Sequence, residues 1–125
     1  MMNTIDRIVN ELAAGKKISE ALSTIYSKRR VSIPYNNAWF NVYVTDMGMT
    51  SRTTNGLMRA HLKTARDVLD YAEDNKISEI RNIGASSCIE IMETMLNYAW
   101  DKMSDKEKAE FLVDTVIRNE RYLKV

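Results

Sequence analysis

The chain has one cysteine, one histidine and one proline among 125 residues, and each scarcity removes a class of explanation. Cys88 has no partner for an internal disulfide, which suits a reducing compartment and makes the cytoplasm the expected location. His61 stands alone, so no Cys/His spacing of a zinc site exists, and no metal or other cofactor is expected. No run approaches the ~18 apolar residues of a membrane span. The opening Met1-Met2-Asn3-Thr4-Ile5-Asp6-Arg7 lacks the basic stretch and apolar run of a secretory signal, and no membrane partner is expected. P-loop, G-x-G-x-x-G and H-E-x-x-H patterns are missing as well, so the expectation is a protein that is not an enzyme. No solenoid-period repeat, low-complexity tract or Gly/Ser linker interrupts the sequence.

What is present is ordinary in bulk and uneven in detail. Apolar residues make up 45% and charged residues 28%, the balance of a globular protein long enough to bury a core as one domain or a small module with extensions. The net charge of +1 conceals an asymmetry. Residues 1–66 hold ten Lys/Arg against four Asp/Glu, a net of +6, and residues 67–125 hold eight against thirteen, a net of −5. That split permits a basic face turned towards an anion, unless folding interleaves the halves. A bulk electrostatic nucleic-acid binder would be far more basic overall, so any DNA affinity should be modest and carried by a few residues.

The spacing of apolar residues predicts a mainly α fold. Ile5, Ile8, Val9 and Leu12 mark a first helix ending near Gly15, and Ile18, Leu22, Ile25 and Tyr26 a second. The stretch Val31 to Val44 is rich in β-branched and aromatic residues, and its Asn36-Asn37 turn signal predicts a small β-hairpin with Pro34 on an edge strand. Thr50 or Ser51 can cap a helix reaching about His61. Thr64 and Asp67 form a capping-box-like start for the next. A short helix with Ile77 and Ile80 stops at Arg81-Asn82-Ile83-Gly84. A longer one runs from Ala85 to about Trp100, with Cys88, Ile91, Met92, Met95, Leu96 and Ala99 on one stripe. Ser104 and Glu107 box the last helix, with Leu112, Val113 and Val116 expected inward. The expected organisation is an N-terminal helical and hairpin extension over 1–45, a helix-hairpin-helix module over 46–100, and a C-terminal helix packed on it over 101–125.

The hairpin Asn82-Ile83-Gly84 carries chemistry. A glycine there lets the backbone turn and another backbone approach. The helix that follows at once presents unpaired N–H groups and the positive end of its dipole, an arrangement suited to phosphate. Taken with Met49-Thr50-Ser51-Arg52-Thr53-Thr54-Asn55-Gly56-Leu57 and Arg81-Asn82-Ile83-Gly84-Ala85-Ser86-Ser87-Cys88-Ile89-Glu90-Ile91, the stretch from about 44 to 98 resembles the C-terminal domain of the bacterial RNA polymerase alpha subunit. The resemblance implies a compact helical unit that binds the minor groove of A·T-rich DNA and contacts transcription activators. It places Arg52 as the arginine entering the groove, Asn55 beside it, Asn82, Gly84 and Ser87 as phosphate-contacting hairpin groups, and Glu90 at the edge of that surface.

The sequence departs from the family where lysines usually follow the hairpin glycine: it has Ala85 and Ser86. It also has Gly56, inside a helix, where the family often has cysteine. Ser86 and Ser87 read either as helix-start residues or as phosphate donors. Lys28-Arg29-Arg30 reads either as a solvated turn or as an extension of the basic face. Tyr35, Trp39, Phe40 and Tyr43 could stack on bases but read better as a packed mini-core. The expected function is therefore a DNA-binding accessory or regulatory protein that meets double-stranded DNA through Arg52, Asn55, Asn82, Gly84, Ser86, Ser87, Lys28, Arg29 and Arg30. Two alternatives stay open. One is an adaptor or inhibitor, of phage or mobile-element type, that engages host transcription machinery or a defence nuclease. The other is a homodimer joined through the stripe around Met92, Met95 and Trp100.

Overall fold

Capping residues divide the protein into short helices. In the computed structural model, which describes residues 3–34 and 38–124, the Asn3 side chain accepts the Asp6 N–H at 2.8 Å and opens α1 (Thr4–Ala13). Gly15, at φ +94°, ends it and returns the backbone into α2 (Ile18–Ile25). The later helices are α3 (Ser51–Arg59), α4 (Ala65–Asp74), α5 (Ala85–Lys102) and α6 (Asp105–Asn119). Thr64 with Asp67, and Ser104 with Glu107, satisfy each other's backbone N–H groups as reciprocal capping boxes at the starts of α4 and α6. Among the described residues no helix is long and apolar enough to cross a membrane.

The protein forms two compact units, one from Pro34 to Ala99 and one from the residues up to Ile33 together with those from Trp100 onward. By composition the central unit carries six Lys/Arg against eight Asp/Glu, and the terminal unit twelve against nine. Folding thus divides the basic half of the sequence between the two units: residues 1–33, at a net +3, share a unit with the neutral residues 100–125, and residues 34–66, also at +3, share the other with residues 67–99, at −5. Whatever attraction for anions the central unit has must come from local placement rather than net charge.

In the terminal unit, Ile8, Ile18, Leu22, Ile25, Phe111 and Leu112 form the apolar core. The ring of Trp100 meets that of Phe111 edge-on with centroids 5.7 Å apart. The buried face of α6 is Phe111, Leu112, Thr115 and Asn119. Val113, expected inward, is 47% exposed. The apolar pattern misleads here because two of the inward positions are polar, and Asn119 in particular is used for its hydrogen bonds.

In the central unit, the β-hairpin expected between Val31 and Val44 does not form among the described residues; its Asn36-Asn37 turn lies outside them. Ala38–Asn41 is a 3-10 turn instead. The bulky residues that suggest strands serve as plugs: Trp39, Phe40 and Val44 are buried, and Trp39 packs against Phe40 and Tyr98. The backbone here bonds elsewhere in the sequence, Val44 N–H to Lys63 C=O at 2.8 Å and Ala65 N–H to Val42 C=O at 2.9 Å. That makes a single bridge between Tyr43 and Thr64 rather than a sheet.

Gly56, in the middle of α3, marks where this helix touches the hairpin corner. A Cβ there would lie 2.6 Å from Ile83 Cδ1, and Ile83 is buried. Gly56→Ala gains up to ~1 kcal/mol of helix propensity but overpacks the contact, at a cost of about 1–3 kcal/mol. The single variant should therefore lose about 1 kcal/mol in urea unfolding. In an Ile83→Val background, where the clashing methyl is gone, the same substitution should stabilise.

Candidate functional site

The corner between Ile77 and Ala85 is tighter than a pair of helices. Its first arm is one 3-10 turn, Ile77–Glu79, followed by a turn in which the Ile83 N–H bonds the Ile80 carbonyl at 3.0 Å. The left-handed residue is Asn82, at φ +69°; Gly84 has no positive φ and nothing within 4 Å of where its Cβ would stand. The turn expected of the glycine is thus made by the asparagine, whose short polar side chain tolerates this conformation. Gly84 instead keeps an open surface. Its carbonyl accepts the Cys88 N–H at 3.0 Å, so it stands at the head of α5 without a side chain to cap the first amides, and an outside anion can reach them.

Because Asn82 is exposed and left-handed, the role of its backbone conformation can be tested apart from that of its amide. Asn82→Gly should melt within a few tenths of a kcal/mol of the parent, whereas Asn82→Ala should lose about 1 kcal/mol. A thermal melt of the two variants checks this.

Two contacts hold α3 against the corner. One is Gly56 on Ile83. The other is Glu90, half-buried one turn into α5, whose carboxylate accepts the Thr50 N–H at 2.8 Å, the Thr50 hydroxyl at 2.9 Å and the Thr53 hydroxyl. Burial pushes the Glu90 carboxyl up, but the bonds from the Thr53 hydroxyl and from Thr50 outweigh it and hold the group below its ordinary range. Thr50 in turn caps α3 by accepting the Thr53 N–H. Glu90 therefore ties the start of one helix to the first turns of the other, and its carboxylate is occupied by the fold.

With α3 fixed, its exposed side presents Arg52, Asn55 and Arg59 at i, i+3 and i+7, one stripe beside Gly56. A groove of about 450 Å³ runs between this stripe and the corner, lined by Gly56, Arg59, Ala60, Ile80, Arg81 and Asn82. Arg52, Asn55, Asn82, Gly84 and Ser86 are all exposed. Ser87 is buried, so its hydroxyl is withdrawn from this surface. Lys28, Arg29 and Arg30 belong to the terminal unit, where Arg29 Nη1 donates to Ser23 Oγ at 2.6 Å and the Arg30 backbone is bonded on both sides by Asn119. Sequence reasoning does not single out Arg59 and Arg81. The i, i+7 relation of Arg59 to Arg52 is readable there, but the neighbourhood of Arg81 becomes visible only once the corner folds against α3.

The model of the family described as the C-terminal domain of the bacterial RNA polymerase alpha chain matches residues 33–97, just over half of the sequence and nearly all of the central unit. No curated protein and no solved structure matches significantly.

Proposed function

Because this protein belongs to the family of bacterial RNA polymerase alpha C-terminal domains, we propose that it is a non-enzymatic DNA-binding accessory or regulatory protein of transcription. The observation that carries the reading is the stripe of α3 tied beside a helix start at Gly84, a residue with no side chain to cover the first amides. Arg52 and Asn55 enter the minor groove of A·T-rich duplex, where a narrow groove concentrates negative potential that attracts a guanidinium. Asn82, Gly84 and Ser86, with the first amides of α5, position the adjacent phosphates. Ala85 and Ser86 supply no ammonium groups, so affinity is modest and its salt dependence shallow.

Gel shifts on A·T-rich and G·C-rich duplexes test this. Arg52→Ala should weaken A·T binding by about ten-fold, the ~1.4 kcal/mol of one good groove contact, and erase the preference between the two duplexes. Gly84→Ala, which meets no protein atom, should fold as the parent does and still bind more weakly. Equal mobility of parent and Arg52→Ala complexes would end the reading.

A second reading, a protein-binding adaptor on the same fold that engages transcription machinery or a defence nuclease, draws on a different observation. Ile89 and Met92 are 58% and 43% exposed on α5, within a unit that carries more acidic than basic residues. A partner retained on the immobilised protein after nuclease treatment, and lost with Ile89→Glu, would favour this reading over DNA.

A further inference from the structure

We propose that Arg59 and Arg81 form a phosphate clamp that grips the sugar-phosphate strand flanking the groove entered by Arg52, a contact additional to those of Asn82, Gly84, Ser86 and the first amides of α5. The inference rests on the DNA reading above and gives a role to two residues to which the family resemblance assigns none.

Three observations converge on it. Arg59 and Arg81 line the same concave groove of about 450 Å³, with Gly56, Ala60 and Ile80 as its apolar floor and Asn82 on its rim. Both arginines are exposed, and among the described residues neither has an ion-pair partner, although other exposed arginines do: Arg66 with Asp70 and Arg118 with Asp114. Two uncompensated guanidiniums beside one depression leave a local positive field in a unit whose net charge is negative. The third observation is spacing. Arg59 follows Arg52 by seven residues on one helix edge, a rise of about 10 Å. The minor groove is only ~6 Å wide. With Arg52 inside that groove, a cation about 10 Å away along the helix falls outside it, over the bordering strand, where phosphates are the available ligands.

The planar fork of a guanidinium suits phosphate oxygens bidentately. Asn82, held left-handed between groove and corner, links this clamp to the amides at the start of α5. The clamp supplies two cationic phosphate contacts in a protein whose helix start, at Ala85 and Ser86, has none.

The test is fluorescence anisotropy of the 125-residue protein on an A·T-rich duplex across a salt series, with Arg59→Gln, Arg81→Gln, the double variant and Arg59→Lys. Each glutamine substitution should lower the slope of log K against log salt by about 0.9, and weaken binding about five-fold near physiological salt. Arg59→Lys should keep the slope. Preference for A·T over G·C should stay at the parent's value, because phosphates carry no sequence, and thermal melts should not move, because both side chains are exposed. Parent-like slopes in the double variant would overturn the clamp while leaving the Arg52 reading standing. Loss of A·T preference in either glutamine variant would also overturn it, since the arginines would then be reading the groove. Failure of the parent to bind duplex would sink both inferences together.

Discussion

Asn119→Ala should destabilise the protein by about 3 kcal/mol, the largest effect expected of any single polar substitution in it. The Asn119 side chain is fully buried. Its Nδ2 donates to the Arg30 carbonyl at 2.9 Å and the Thr115 carbonyl at 2.8 Å, and its Oδ1 accepts the Arg30 N–H at 2.6 Å. The pair of bonds to one residue imitates a backbone ladder and fixes the segment after α2. Nearby, the Ser27 N–H bonds the Tyr122 carbonyl at 2.8 Å and the Lys124 N–H the Ile25 carbonyl at 3.0 Å. Truncation removes three bonds worth about 1 kcal/mol each, one of them buried and two part-buried. Asn119→Asp should be no milder, since it exchanges two donated bonds for a buried charge. Urea unfolding reads the loss. Hydrogen exchange at the Arg30 amide tells its cause, because that proton should lose protection in the variant even under conditions where α1 and α2 stay folded. If the Arg30 amide exchanged as in the parent, the asparagine would be filling space rather than holding the strap.

That strap bears on how far function is readable before folding. Lys28-Arg29-Arg30 looks in sequence like three interchangeable cations. In the folded unit the three differ: Arg29 is bonded to Ser23 and Arg30 is held by its backbone, leaving the side chains of Lys28 and Arg30 exposed. Nothing local announces Asn119 as their anchor, because a polar residue near the end of an amphipathic helix looks like solvent-facing surface. The same blindness rotates the expected face of α6 towards Val113.

Where signals are local, they are legible. The Thr64/Asp67 and Ser104/Glu107 boxes and the Gly15 terminator each depend on residues within one turn, and the sequence places them correctly. Where a residue's role depends on a distant partner, the pattern misleads. Residues 42–44 have the side chains of a strand, yet their backbone bonds a turn some twenty positions later, so β propensity here records bulk suited to burial rather than pairing. The N-x-G corner shows the limit within a motif. Either residue can adopt a left-handed conformation, and only the fold gives it to Asn82 and leaves Gly84 as open surface. Gly56, which in sequence is a helix defect, becomes the contact point of α3 with Ile83.

Glu90→Ala should cost about 2 kcal/mol and should weaken DNA binding beyond what its position would suggest. On the proposed DNA surface a carboxylate ought to repel phosphate, so removing it would ordinarily strengthen binding. Here the carboxylate is engaged by two hydroxyls and the Thr50 N–H at the start of α3, where a negative charge also suits the helix dipole. Hydrogen bonds to a charged group contribute about 1.5–3 kcal/mol, and partial exposure lets water recover some of that. Without this tie, α3 is held to the corner by the Gly56 contact, and Arg52 loses its fixed position relative to the amides of α5. The pH dependence separates this account from simple charge repulsion. Glu90 is held below its ordinary range in the folded state, so its contribution is fully present above the unfolded-state value and is lost as pH falls through the folded one. The parent should therefore show an acid-side decline in melting temperature that is shallower in Glu90→Gln. At neutral pH that variant should melt lower than the parent, because the amide keeps the shape but lacks the charge. If Glu90→Gln bound duplex more tightly than the parent at neutral pH and melted no lower, the carboxylate would be a repulsive surface charge. The fixed placement of Arg52 would then need another cause.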